Sequence, residues 1–164
     1  MRQFDHNGLL LAIFQGKLFE ESVKKKHYSS PMFLSYFQNS KAAKELDIKN
    51  PALIDLNRPI FFLRIEEECG QISEGETYDA DAMNWLGYIY RYICYTRNCS
   101  TKFLFDIVPP LELINHYYVY HTQSEEWVVN RILEIKGLNE DIFDKNKRMK
   151  KLLEEKLSNE LLNI

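Results

Sequence analysis

The chain has 164 residues, 45% hydrophobic, 13% aromatic and 27% charged, the size and apolar content of one globular domain, which excludes a disordered tail. Twenty-one Lys and Arg against 24 Asp and Glu give a formal net charge of −3, so no global positive field draws the molecule to nucleic acid or to an anionic membrane. Ten Tyr, ten Phe and two Trp against only six Gly and five Pro argue against a many-stranded fold and predict a single all-α domain of about six to seven helices with a heavy aromatic core.

The first helix is predicted over residues 8–25. Leu10, Phe14 and Leu18 recur at four-residue spacing, and Lys24, Lys25 and Lys26 occupy the carboxyl end, where cations suit the helix dipole. The apolar run Leu9 to Phe14 falls far short of the roughly 20 residues of a membrane span. Gln15, Lys17, Glu20 and Glu21 follow it with no small-residue cleavage site, so neither a membrane segment nor a signal peptide is expected. Ser29, Ser30 and Pro31 mark the start of a second helix, a hydroxyl cap followed by proline in the first turn. Phe33, Tyr36, Phe37, Ala43 and Leu46 keep one face apolar as far as Asp47.

Asn50-Pro51 and Asn57 with Pro59 then interrupt the period; Leu53, Ile54 and Leu56 suit a short extended piece. Pro59 opens a helix through Ile60 to Glu68 that Gly70 caps, with a strand over Ile60 to Leu63 as the alternative. Gln71 to Thr77 is the most loop-like stretch. It divides an amino-terminal helical part (1–77) from a helical core (78–138) and a tail helix (139–164), all within one domain.

The segment Asp79 to Thr96 is predicted as the central helix. At 100° per residue, Trp85, Tyr88, Tyr92 and Tyr95 form one stripe and Ala82, Leu86, Ile89 and Ile93 a second beside it, leaving Asn84, Gly87, Arg91 and Cys94 on the remaining side. Gly87 inside such a helix costs about 1 kcal/mol against alanine, a cost that close approach by another backbone would offset. Short helices follow around Phe103, Leu104 and Ile107 and from Leu111 to Tyr120. A longer one carries Trp127, Val128, Ile132 and Ile135 and stops at Gly137. The tail carries Ile142, Met149, Leu153, Leu157 and Leu161 on a narrow apolar seam among 12 charged residues between Glu140 and Glu160.

Few residues suggest chemistry. Cys69, Cys94 and Cys99, an odd number in a chain of this size, predict reduced thiols and a cytoplasmic setting. Cys94 and Cys99, like His116 and His121, are five apart, which is not a metal-ligand spacing. No GxSxG, HExxH or glycine-rich phosphate loop is present, so no catalytic residue, metal or cofactor is expected. A helix-turn-helix reading of Thr101 to Tyr120 lacks phosphate-binding charge: Pro109 to Tyr120 holds no Lys or Arg.

What remains is a partner surface. Tyr88, Arg91, Tyr92 and Tyr95, with Tyr118, His121 and Thr122, are residue types enriched where proteins bind proteins. Arg91 either pairs with an internal carboxylate or meets the partner. An enzyme with His121 as acid or base and Arg91 as anion holder is the alternative.

The stretch Tyr118 to Ile132, YVYHTQSEEWVVNRI, resembles the carboxyl-terminal end of a family of very small, uncharacterised bacterial proteins in which an aromatic residue and His-Thr-Gln precede a helix. Cys99-Ser100-Thr101 and the helix before it look like the rest of that family. The resemblance covers about residues 81–134, and Tyr120, His121, Thr122 and Gln123 carry most of it. Such proteins are often encoded beside ADP-ribosyltransferase-like toxins. The resemblance implies an antitoxin or accessory component of a toxin–antitoxin or phage-defence module, with the toxin as partner. The chain departs from the family in some eighty residues before the match and a charged helix after it, a helix suited to docking in a partner's groove.

Overall fold

Side-chain caps at Asp5, Ser40, Asp79, Ser100 and Ser124 set five of the helix starts. The computed structural model describes residues 1–49, 52 and 58–162, with side-chain detail to residue 156 and at residue 158. Among the described residues there are ten helices and no strand: α1 (His6–Lys24), α2 (Ser30–Asn39), α3 (Lys41–Asp47), α4 (Arg58–Cys69), α5 (Ala80–Arg97), α6 (Thr101–Ile107), α7 (Pro110–Ile114), α8 (Tyr117–Tyr120), α9 (Glu125–Lys136) and α10 (Asp141–Leu162). The all-α class stands and the helix number is corrected upward. The extended piece expected at Leu53 to Leu56 lies outside the described residues.

Two side-chain and backbone events explain the extra helices. Ser40 turns out to extended backbone at ψ 157°, and its hydroxyl accepts from the Ala43 amide at 3.1 Å, which ends α2 and starts α3 within what periodicity reads as one helix. His116, at φ −99° and ψ 4°, likewise separates α7 from α8. Residues 110–120 are therefore two pieces of five and four residues, too short to lie in a major groove as a recognition helix. Ser29 precedes α2, but its hydroxyl makes no cap bond. Residues 60–63 belong to α4, which removes the strand alternative, and Gly70 after it has φ +91°.

Asp79 caps α5 with one carboxylate oxygen, which accepts from the Asp81 and Ala82 amides at 2.9 Å each, and Asn98 ends it in the left-handed conformation at φ 55°. α1 lies along α5. A methyl added to Gly87 would stand 2.6 Å from the Gln15 carbonyl oxygen, and one on Gly16 would stand 2.9 Å from the Asn84 carbonyl oxygen. Two glycines thus let the two backbones meet, and this close approach is the one that Gly87 predicts. The side of α5 left over by its aromatic stripes is consequently an interior side: Gly87, Arg91 and Cys94 are all buried.

Aromatic rings pack around this pair. Phenylalanines fill the side made by α1, α2 and α4, where Phe19 meets Phe33 and Phe37 edge-on at 5.3 and 4.9 Å and Phe14 meets Phe61 at 5.0 Å. Each such buried ring contributes about 1.5–3 kcal/mol. A buried tyrosine carries in addition a hydroxyl that must find an acceptor: Tyr28, stacked on Phe33, donates to Glu66. Tyr90, fully buried, donates to the Val108 carbonyl. The loop at 71–79 is pinned to the α1–α2 connection, with the Ser29 amide donating to the Ser73 carbonyl at 2.9 Å and the Ser30 amide to the Glu76 carbonyl at 2.8 Å.

α9 starts at the Ser124 hydroxyl and stops at Gly137, φ 61°, the stop that its sequence predicts. Glu126 of α9 and Glu140, the residue before α10, converge on Arg97, whose side chain is only 2% exposed and ion-paired to them at 3.1 and 2.8 Å. Phe143 anchors α10 against Phe103, centroids 6.3 Å apart. From Lys147 onward every described side chain of α10 is exposed.

Candidate functional site

The seven residues expected at a partner surface separate into two groups. Arg91, Tyr92 and Tyr95 point inward, which corrects their assignment to a surface. Arg91 is fully buried; its guanidinium donates to Gln15 Oε1, Asp47 Oδ1 and Thr101 Oγ1, each at 2.8 Å. Gln15 in turn donates to the Gly87 carbonyl at 3.0 Å, and Asp47 accepts from the Thr101 amide at 2.9 Å and hydroxyl at 2.7 Å. One guanidinium therefore ties α1, α3, α5 and α6 together. It is brought inside by the glycine contact that closes α1 onto this side of the helix.

Tyr92 donates to Glu126 Oε1 and Tyr95 to Asp5 Oδ1, both at 2.6 Å. Burial first, and then the neighbouring carboxylate, raises each phenol above its ordinary pKa. The Arg2 guanidinium stands over the Tyr95 ring at 4.1 Å, so both hydroxyls and the Tyr95 ring face already have partners within the chain.

Tyr118, His121 and Thr122 are exposed and Tyr88 is half-buried. Tyr118 is 78% exposed and its neighbour Val119 is 62% exposed, both carried by the four-residue α8, which is held down by buried Tyr120. Tyr117 links this tip to α5: its ring centroid lies 5.7 Å from Trp85, 5.3 Å from Tyr118 and 4.6 Å from the stacked His121 imidazole. His121 Nδ1 is 2.8 Å from the Tyr117 carbonyl oxygen, which fixes the ring against the helix end. Thr122 turns its hydroxyl back toward the Val119 carbonyl at 3.5 Å.

Beside this tip lies a cleft of about 400 Å³, lined by Lys17, Glu20, Asp81, Asn84, Trp85, Tyr88, Tyr117 and His121. Its polar end is organised by Glu20, whose carboxylate accepts from Lys17, Lys24 and Asn84, all at 2.7 Å. Those donors, the two lysines first, pull its pKa down to about 2 against a slight opposition from burial. Tyr88 donates to Glu125 at 3.0 Å across the upper wall. Burial and then the charges of Asp81 and Asp79 raise the Tyr117 phenol above its ordinary pKa.

Arg91 and His121 are not brought together. The guanidinium is committed to Asp47 and Thr101 inside the core while the imidazole lines the open cleft, so the pairing of an anion holder with an acid or base at one pocket is corrected. The sequence reading also missed cleft residues on α1. Lys17 and Glu20, at helical spacing, carry a local signal; the row Asp81, Asn84, Trp85, Tyr88 at i, i+3, i+4, i+7 carries the matching one on α5. That the two rows face each other is tertiary information.

Cys94 and Cys99 are buried and Cys69 half-buried, all three free. Burial, and then the Cys99 thiol beside it, pushes the Cys94 thiol well above its ordinary pKa, a poor setting for a nucleophile. Among the described residues no group of three or more His, Cys, Asp or Glu side chains is placed to hold a metal ion, and no helix is long and apolar enough to cross a membrane. The fold and this surface define an all-helical protein with an aromatic tip and an adjoining charged cleft. No family model, curated protein or solved structure matches the chain.

Proposed function

We propose that this chain works as a protein-binding module that docks through the α8 tip and the wall of the cleft beside it. The observation that carries the reading is the exposed pair Tyr118 and Val119, 78% and 62% exposed, continuous through Tyr117 with Trp85. Two large apolar side chains on a rigid, well-anchored turn have no role in this core, and Tyr and Trp are the residue types that dominate binding energy at protein interfaces.

The partner we name is an ADP-ribosyltransferase-like toxin, which makes the chain an antitoxin or accessory component of a defence module. That identity rests on the resemblance of residues 81–134 alone, while the docking surface rests on exposure and ring geometry. Covering a toxin's active cleft by a convex aromatic tip is a physical route to neutralisation.

Co-expression with the neighbouring toxin tests the reading, with Tyr118→Ala combined with Val119→Ser as the variant. Both side chains are exposed, so the melting temperature should hold while protection of the host falls and affinity drops at least about tenfold, as expected for loss of a central aromatic anchor. Equal protection by wild type and variant sinks the docking surface. A neighbouring product that is harmless, or one whose toxicity ignores the wild-type chain, sinks the antitoxin role.

A further inference from the structure

The cleft beside the α8 tip has a definite chemistry. Its aromatic wall is Trp85, Tyr117 and Tyr88, with the Trp85 and Tyr117 rings inclined at 58° to one another and 5.7 Å apart. The two rings touch, and the His121 imidazole stacks on Tyr117 at 4.6 Å, so a flat cation would lie on the indole of Trp85, whose quadrupole presents negative charge at the ring face. The polar wall carries carboxylates at two heights. Asp81, 77% exposed, stands at the mouth. Glu20, 13% exposed, stands at the floor.

Glu20 shows that this floor takes cations. It binds two ammonium groups, those of Lys17 and Lys24, at 2.7 Å each, and Lys17 reaches it from the rim with half its side chain in water. Asp81 is 3.8 Å from Lys24, a looser pairing that leaves its carboxylate open to a further donor. The raised phenol of Tyr117, driven after burial by Asp81 and Asp79, reports a negative field at the aromatic wall as well.

We infer that the cleft between α1, α5 and α8 is a receptor for one basic side chain of the partner protein, an arginine guanidinium set against the Trp85 ring, which Tyr117 supports, and paired with Asp81. The inference rests on the protein-binding reading and names the chemistry that this part of the surface accepts. Arginine fits better than lysine because its planar guanidinium can stack on a ring face while keeping in-plane donors for a carboxylate. The side chain enters beside Lys17, which remains on Glu20, so the incoming charge meets the one carboxylate not already doubly paired.

The test uses the full chain and small probes, so that it reads the cleft without the partner. Trp127→Phe removes the other indole, 39% exposed on α9, and leaves Trp85 as the fluorophore. N-acetyl-arginine amide should give a saturable change in Trp85 emission. N-acetyl-citrulline amide, of nearly the same shape and no charge, should bind about tenfold or more weaker, the scale of a cation against an aromatic face with a carboxylate beside it. N-acetyl-glutamate amide should give no saturable change.

Asp81→Asn and Tyr117→Leu should each weaken the arginine probe while leaving the melting temperature near that of the parent for Asp81→Asn, whose side chain lies in water. The His121 imidazole resonance in the unsubstituted chain gives a second reading that does not depend on Trp127→Phe. No saturable response by either probe of the cleft, or equal responses to arginine and citrulline, overturns the inference. If toxin capture survives that result, the docking surface stands and only its chemistry falls; if capture fails while arginine still binds, the reverse holds.

Discussion

Arg91 fastens three other helices to α5 through one side chain. Its three 2.8 Å bonds join Gln15, Asp47 and Thr101 from three other helices, and the guanidinium has no exposed surface. Arg91→Leu keeps most of the volume but leaves the largely covered Asp47 carboxylate, 16% exposed, without its cation. Losing one member of a buried pair costs about 3–5 kcal/mol, and the low end applies because Asp47 retains the Thr101 amide and hydroxyl. Urea unfolding should show that loss, and Asp47→Asn added to Arg91→Leu should restore part of it by removing the stranded charge. A variant with unchanged stability and weakened partner capture would instead make Arg91 a contact residue. The sequence exposed half of this: an arginine on an otherwise apolar helix needs a carboxylate or a partner. Asp47, 44 positions away, gives no local sign that it is the answer.

At the scale of elements, the packing of α1 against α5 was legible at one point and hidden elsewhere. Gly87 in the middle of a helix has a propensity cost that asks for a compensating close approach, and the Gln15 carbonyl supplies it. Which helix approaches was not legible, because Gly8 and Gly16 read as isolated glycines until α1 is laid along α5. The same limit left Arg91 with two readings, an internal carboxylate or a partner, because a polar and small-residue face is solvated unless a glycine contact draws a second backbone onto it. Helix breaks at Ser40 and His116 were missed because each interrupts a run whose apolar spacing continues through it. Gly87→Ala separates propensity from packing. The substitution gains about 1 kcal/mol of helix propensity, yet its methyl would stand 2.6 Å from a backbone oxygen and 3.0 Å from the Gly16 Cα, neither of which can rotate away. Overpacking of this kind costs about 1–3 kcal/mol, with the upper end expected against backbone, so the net should be destabilisation by about 2 kcal/mol in thermal or urea unfolding. A more stable Gly87→Ala chain would mean that the helices do not meet there.

At the scale of the whole molecule, a formal charge of −3 conceals how the charge is distributed. Lys145, Lys147, Arg148, Lys150 and Lys151 place five cations within seven residues of α10, on a stretch whose side chains are mostly exposed. α10 has two parts with different attachments. Its start is fixed by Glu140, the residue before it, on Arg97 at 2.8 Å, and by Phe143, 5% exposed against Phe103. Its remainder shows Met149, Leu152 and Leu153 at 60%, 60% and 54% exposure, where they cover little of the core. A chain ending at Asn146 should therefore melt within about 2 °C of the full chain, since surface changes alter stability by about 0.5 kcal/mol or less and each kcal/mol moves the midpoint of a protein this size by about 2–4 °C. A chain ending at Leu138 should melt much lower: removal of a buried Phe alone costs about 3–5 kcal/mol, and Arg97 loses one of its two carboxylates. Equal melting of all three chains would place the whole of α10 outside the fold. A large drop already at Asn146 would mean that the apolar seam beyond it packs on the body, leaving no free helix face for a partner.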